Sequence, residues 1–100
     1  MTYTETDLEN TVGWIKDMLR EKSSVADTEI RDLVESCVLE LKIAGVQGKL
    51  TDPLYRQAVK LYAKAHFGYD SDSERFLKAF QNLRDSMALS GEYGGGASGL

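Results

Sequence analysis

One apolar series in the second quarter of the chain constrains the fold more than any other feature. Its spacing is i, i+3, i+4, i+7, i+8 and i+11, and its members are Ile30, Leu33, Val34, Cys37, Val38 and Leu41. This spacing places every member on one face of an α-helix, and that face needs other helices to cover it. No stretch of five or more residues alternates apolar and polar side chains as strands do. The sequence therefore predicts an all-α protein.

Apolar spacing and terminal signals predict four helices in all, and we expect them to form a small four-helix bundle. The first helix is expected at about residues 6–22. The second follows Ser24, which resembles a capping residue in combination with Asp27, and it ends at Gly45. The fourth is expected at about residues 73–90, where acidic residues precede an apolar helix face.

The third helix is predicted to lie at the centre of the bundle. Asp52 followed by Pro53 is typical of a helix start, and Gly68 is typical of a helix end. Between them the chain is apolar around most of the helix circumference, which is typical of a helix covered on several sides. We therefore expect Ala58 and Ala65 to be buried.

Glycine content separates a C-terminal segment from the rest of the chain. Residues 91–100 contain five glycines, so we expect a flexible arm there, after a helical domain at residues 1–90. The sizeable apolar residues of this arm are Tyr93 and Leu100. They are candidates for docking on another protein chain.

Composition excludes several classes of function. Twelve Lys and Arg against sixteen Asp and Glu give a net charge of −4, which repels the phosphates of nucleic acid. The single cysteine cannot form an internal disulfide, and the polar start of the chain does not resemble a secretion signal. We therefore expect a reducing compartment. No apolar run approaches the roughly 20 residues that cross a bilayer, so we expect no membrane association.

Residues that carry chemistry do not form a complete set in this sequence. His66 and Cys37 supply two soft metal ligands, which is fewer than a closed zinc site needs. The acidic run at residues 70–74 resembles the start of a calcium loop, but Arg75 and Gln81 stand where that loop needs Gly and a bidentate Glu. No catalytic triad or nucleotide-binding loop can be assembled. We predict no catalytic residues, metal or cofactor.

Two surface features point to binding partners. The loop between Gly45 and Gly48 resembles the GxxG loop of KH domains, so a small nucleic-acid-binding module is one alternative function. A small helical regulatory protein that binds one helical partner is another. Trp14 and Met18 lie one turn apart at the edge of the first apolar face, and they are candidates for contact between subunits. Packing of the same pair against the third helix is an equal alternative.

Several segments resemble the head–tail connector proteins of long-tailed bacteriophages, which are also called head-completion or adaptor proteins. These are residues 52–69 (DPLYRQAVKLYAKAHFGY), residues 76–80 (FLKAF), residues 89–93 (LSGEY) and, in the second helix, residues 32–36 (DLVES). The likeness extends over about residues 8–93 and follows the order of the predicted helices.

This resemblance implies a structural protein of the virion, placed at the head–tail interface after assembly in the bacterial host cytoplasm. It implies a homo-oligomeric ring of about twelve subunits beneath the portal protein. Tyr93 and Leu100 are then candidates for docking on the portal protein or a neighbouring subunit, and the helical domain at residues 1–90 is a connector domain. Such a ring extends the DNA channel without specific binding to DNA, and it offers a platform to the next connector or tail-completion protein. The loop at residues 45–52 is shorter than in some relatives, so we do not expect a large rearrangement of it.

Overall fold

The computed structural model describes residues 3–19, 25–67 and 72–94. These ranges contain four α-helices and no strand. In chain order the helices are α1 (Glu5–Leu19), α2 (Val25–Ile43), α3 (Pro53–Phe67) and α4 (Ser73–Leu89). The predicted all-α fold and the predicted order of four helices are confirmed.

The start of α1 is set by a reciprocal cap that the sequence analysis did not identify. The Asp7 backbone N–H donates to Thr4 Oγ1 over 3.0 Å, and the Thr4 N–H donates to Asp7 Oδ2 over 3.4 Å. Because this cap satisfies backbone donors at the helix start, α1 begins at Glu5, one residue earlier than predicted. The predicted end of this helix at residue 22 and the predicted cap at Ser24 lie outside the described residues.

The boundaries between α2 and α3 follow the predicted signals. Gly45 has a φ of 89°, a left-handed conformation that glycine adopts without a steric penalty, and the Val46 N–H donates to the Leu41 carbonyl oxygen over 2.8 Å. At the start of α3, the Tyr55 N–H donates to Asp52 Oδ2 over 3.0 Å. Asp52 is therefore the N-cap that the sequence predicts.

Helix α3 lies at the centre of the bundle, because it packs closely against α4 and α2 and also contacts α1. Ala58 is fully buried, as predicted, whereas Ala65 is half-buried. Ala65 lies on the same face two turns further along, where the neighbouring helices cover that face less completely. Residues from all four helices form the core, among them Leu8, Ile15, Ile30, Val34, Leu41, Val59, Phe80 and Met87.

Candidate functional site

Residues 90–94 fold back on the end of α4, and we call them the C-terminal turn. The Ser90 N–H and hydroxyl both donate to the Met87 carbonyl oxygen, over 3.1 and 2.8 Å. The Tyr93 N–H donates to Ser90 Oγ over 3.0 Å, and the Gly94 N–H donates to the Ser90 carbonyl oxygen over 2.9 Å. A Cβ at Gly94 would collide with the backbone of the last turn of α4, so this close approach requires glycine.

Tyr93 joins the C-terminal turn to the loop between α2 and α3. The Gln47 N–H donates to the Tyr93 carbonyl oxygen over 2.6 Å, and the Tyr93 hydroxyl donates to Asp52 Oδ2 over 2.7 Å. The same carboxylate oxygen accepts the Tyr55 N–H, so Asp52 both caps α3 and holds Tyr93.

These hydrogen bonds shift the pKa values of both side chains. The Tyr55 N–H, followed by the Tyr93 hydroxyl, lowers the pKa of the Asp52 carboxyl, because each bond favours its ionised form. The bond to Asp52 raises the pKa of the Tyr93 hydroxyl, because ionised Tyr93 would lose a donor and meet a like charge. At neutral pH the pair is therefore a carboxylate that accepts a hydrogen bond from a neutral phenol.

Gly48 brings the α2–α3 loop against the ring of Tyr55. A Cβ at Gly48 would collide with that ring, and Tyr55 is only 2% exposed, so the ring has no free space to move into. The loop that resembles a GxxG clamp is therefore engaged within the subunit, through the Gln47 N–H and through the face of Gly48.

The C-terminal turn corrects the prediction that the chain becomes a free arm at residue 91. Tyr93 is half-buried and Gly94 is buried, so these two residues pack on the bundle, whereas Gly91 and Glu92 are exposed. The sequence analysis counted glycine only as a source of flexibility, whereas Gly94 permits a close backbone approach and Tyr93 has a carboxylate partner 41 residues earlier. Leu100 and the rest of residues 95–100 lie outside the described residues.

Trp14 and Met18 are half-buried and pack against the core of their own subunit. The Arg56 guanidinium of α3 lies over the Trp14 ring, with its Cζ 4.5 Å from the ring centroid, a geometry typical of cation–π contacts. The structure thus contains the packing against the third helix that the sequence offers as an alternative. A role of Trp14 and Met18 in subunit contact stays a prediction.

Among the described residues, four large apolar side chains are exposed, and the sequence analysis proposed none of them as contact residues. They are Leu39 (59% exposed), Ile43 (85%), Leu54 (40%) and Leu89 (86%). Leu54 borders a shallow groove of about 460 Å³ that is also lined by Leu83, Met87 and Tyr93. The available signal was that Leu39 and Ile43 fall outside the core spacing of their helix. Exposed apolar residues of this size are candidates for contact with other protein chains.

The structure shows the surroundings of two side chains that could be reactive or bind metal, Cys37 and His66. Cys37 is fully buried, and this burial raises the pKa of its thiol, which disfavours the reactive thiolate. His66 is exposed, with its ring centroid 4.2 Å from that of Tyr62. Among the described residues, no three His, Cys, Asp or Glu side chains group as metal ligands would. None of the described helices is long and apolar enough to cross a membrane.

The described residues form a small all-α protein with exposed apolar side chains on α2, α3 and α4. The family model described as "Phage connector protein" matches residues 13–94, which run from the middle of α1 to the C-terminal turn. The chain therefore belongs to the phage connector protein family, as the sequence resemblance predicts, and its role is that of a structural connector. Neither a curated protein nor a solved structure gives a significant match to this chain.

Proposed function

We propose that this connector protein forms a homo-oligomeric ring beneath the portal protein at the head–tail interface of a virion. The family match over residues 13–94 carries this proposal, because it includes α2, α3, α4 and the C-terminal turn. The ring extends the DNA channel and presents a platform to the next connector or tail-completion protein. The exposed apolar side chains support assembly, because they lie on different helices, and ring closure needs two different patches on one subunit.

Cryo-EM of the purified chain with the portal protein of the same phage tests this function. We expect added density in a closed ring beneath the portal, with no such density in the portal alone. Portal particles that stay unchanged in a large excess of the chain would contradict the proposal.

Trp14 and the C-terminal residues 95–100 are proposed contact sites within this assembly. Trp14→Ala is expected to lower the yield of portal-bound rings by a larger factor than it lowers the fraction of folded protein. Deletion of residues 95–100 is expected to leave the melting temperature unchanged and to lower ring yield. A deletion variant with the ring yield of the full chain would show that this segment is dispensable.

DNA is proposed to pass through the ring without specific binding. The net charge of −4 removes the attraction that dominates nucleic-acid affinity. A backbone clamp also needs free N–H groups in the loop, and the Gln47 N–H already donates to Tyr93.

Titration of labelled single- and double-stranded DNA and RNA at low salt tests this part of the proposal. We expect no binding at micromolar protein concentration, even though low salt exaggerates electrostatic attraction. Micromolar binding with a steep salt dependence would support the nucleic-acid-binding alternative.

A further inference from the structure

Helix α2 carries an exposed stripe opposite its buried face. Its members have the spacing i, i+3, i+7, i+10 and i+14, and all of them are exposed: Glu29, Asp32, Ser36, Leu39 and Ile43. This spacing averages 3.5 residues, which is the repeat of side chains along the seam between two packed helices. The stripe begins with two acidic residues and ends with two large apolar residues. We call it the α2 stripe.

Helix α4 carries a stripe with the same spacing and the opposite charge at its start. Its members are all exposed: Arg75, Lys78, Asn82, Asp85 and Leu89. The stripe begins with two basic residues and ends with a leucine that is 86% exposed. Arg75 also pairs with Asp72 over 3.2 Å, and Asp85 pairs with Arg84 over 3.0 Å. We call it the α4 stripe.

We propose that the α2 stripe of one copy packs in parallel against the α4 stripe of a second copy. In this register the stripes pair as Glu29 with Arg75, Asp32 with Lys78, Ser36 with Asn82, Leu39 with Asp85 and Ile43 with Leu89. Two pairs of opposite charges therefore meet at one end, and two large apolar side chains cover each other at the other end. Asp85 faces Leu39, and its pairing with Arg84 gives its carboxylate a partner on its own helix.

Charge complementarity selects a second copy in this arrangement rather than self-pairing of one stripe. Two α2 stripes in parallel would oppose acid to acid, and two α4 stripes would oppose base to base, which destabilises contact. A contact between two different stripes leaves one of each free on every dimer, so it continues to further copies. The inference rests on the proposed function for the choice of this chain as its own partner.

Disulfide trapping between two single-cysteine variants tests the register directly. One protein carries Ser36→Cys and the other carries Asn82→Cys, both in a Cys37→Ala background whose folding is first checked by circular dichroism. Paired positions of packed helices lie within disulfide reach. Under mild oxidation at high protein concentration, we expect the mixture to give a heterodimer at least tenfold faster than a mixture of Ser36→Cys with Gln57→Cys. Gln57 is exposed on α3, outside both stripes.

A charge exchange tests the electrostatic pairing within the same assay. Glu29→Lys with Asp32→Lys, or Arg75→Glu with Lys78→Glu, should each slow cross-linking about tenfold at low salt. Combining the two reversed stripes should restore the original rate. Equal rates for the Asn82 and Gln57 partners, faster self-linking of Ser36→Cys, or no restoration would each overturn the proposed contact. Because this assay uses the chain alone, rings on the portal despite such a result would leave the proposed function standing.

Discussion

Helix α2 has two contact regions that are stabilised in different ways. One is its side against α1, and the other is the loop after its C-terminal end, which meets the C-terminal turn. On the α1 side, an apolar face is flanked by ion pairs at the surface, including Lys16 with Asp27 at 2.7 Å and Arg31 with Glu5 at 2.6 Å. At its C-terminal end, α2 leads into a loop that is joined to the C-terminal turn by Asp52, Tyr93 and a close approach at Gly48. The contact with α1 depends only on apolar and oppositely charged side chains, whereas the contact with the C-terminal turn depends on the particular residues Asp52, Tyr93 and Gly48. Substitutions should therefore have unequal effects on the two sides.

The largest expected effect concerns α3, which contacts α1 and also packs against the α2–α3 loop through Tyr55. Ala58→Asp should unfold the domain, because Ala58 is fully buried and an unpaired buried charge costs roughly 3–5 kcal/mol. Ala65→Asp is the matched control, and it should remain folded because Ala65 is half-buried. Thermal unfolding followed by circular dichroism measures both. A soluble Ala58→Asp protein with an unchanged melting temperature would refute the central placement of α3.

Two glycines give the sharpest test of the comparison. Gly48→Ala should lower the free energy of unfolding by about 1–3 kcal/mol, because its Cβ would collide with the buried Tyr55 ring. Gly13→Ala in α1 should raise that free energy by about 1 kcal/mol, because nothing lies within 4 Å of its Cβ and alanine is the better helix former. Urea unfolding measures both values. Equal effects at the two positions would remove the proposed difference between the two sides.

Loss of the shared carboxylate should have a moderate and pH-dependent effect. Asp52→Ala removes the α3 cap and the acceptor for Tyr93, and the cap alone contributes about 1 kcal/mol. Since the pKa of Asp52 is lowered in the folded state, its contribution is present above the unfolded value of about 3.9 and is lost as pH falls through the folded value.

Urea unfolding of the wild type and of Asp52→Ala at pH 7 and below pH 3 measures this dependence. The difference between the two proteins should shrink at the lower pH. A difference that stays constant across this range would show that ionised Asp52 does not stabilise the junction.

The smallest effect is expected on the α1 side. Asp27→Asn should lower the free energy of unfolding by less than about 1 kcal/mol, because its partner Lys16 is near the surface and Asp27 is half exposed. This small loss should vanish in 1 M salt, where screening removes the interaction in both proteins. A loss as large as that of Gly48→Ala would place a specific junction on this side as well.

Local signals predicted the helices, and tertiary contacts decided the rest. The apolar series that includes Ile30, the Asp52 cap and the Gly45 stop each depend on neighbouring residues, so the sequence was sufficient to place them. The bond between Tyr93 and Asp52 depends on how α4 returns to the α2–α3 loop, and no periodic pattern encodes that return. For the same reason, the collision that forbids a side chain at Gly48 is visible only once Tyr55 is packed.

The candidate contact surfaces were less predictable than the fold. The charges of α2 and α4 are legible in the sequence, but their exposure depends on which helix covers which face. From the sequence alone, Ile43 and Leu89 cannot be distinguished from other apolar helix residues. Only the packing of the helices shows that they are 85% and 86% exposed. The family resemblance was recognisable earlier, because it rests on core and capping residues of α3 that the fold requires.

The link between Tyr93 and Asp52 also has a consequence for synthesis in the cell. Tyr93 leaves the ribosome 41 residues after Asp52, so the α2–α3 loop is exposed throughout translation of α3 and α4. Contacts between distant residues form late in folding, because the chain between them must first be ordered. During this interval α1, α2 and the first turns of α3 can associate while the loop still lacks its partner. The loop is therefore completed only after all four helices have been synthesised, and the described part of the subunit has its final surface from that moment.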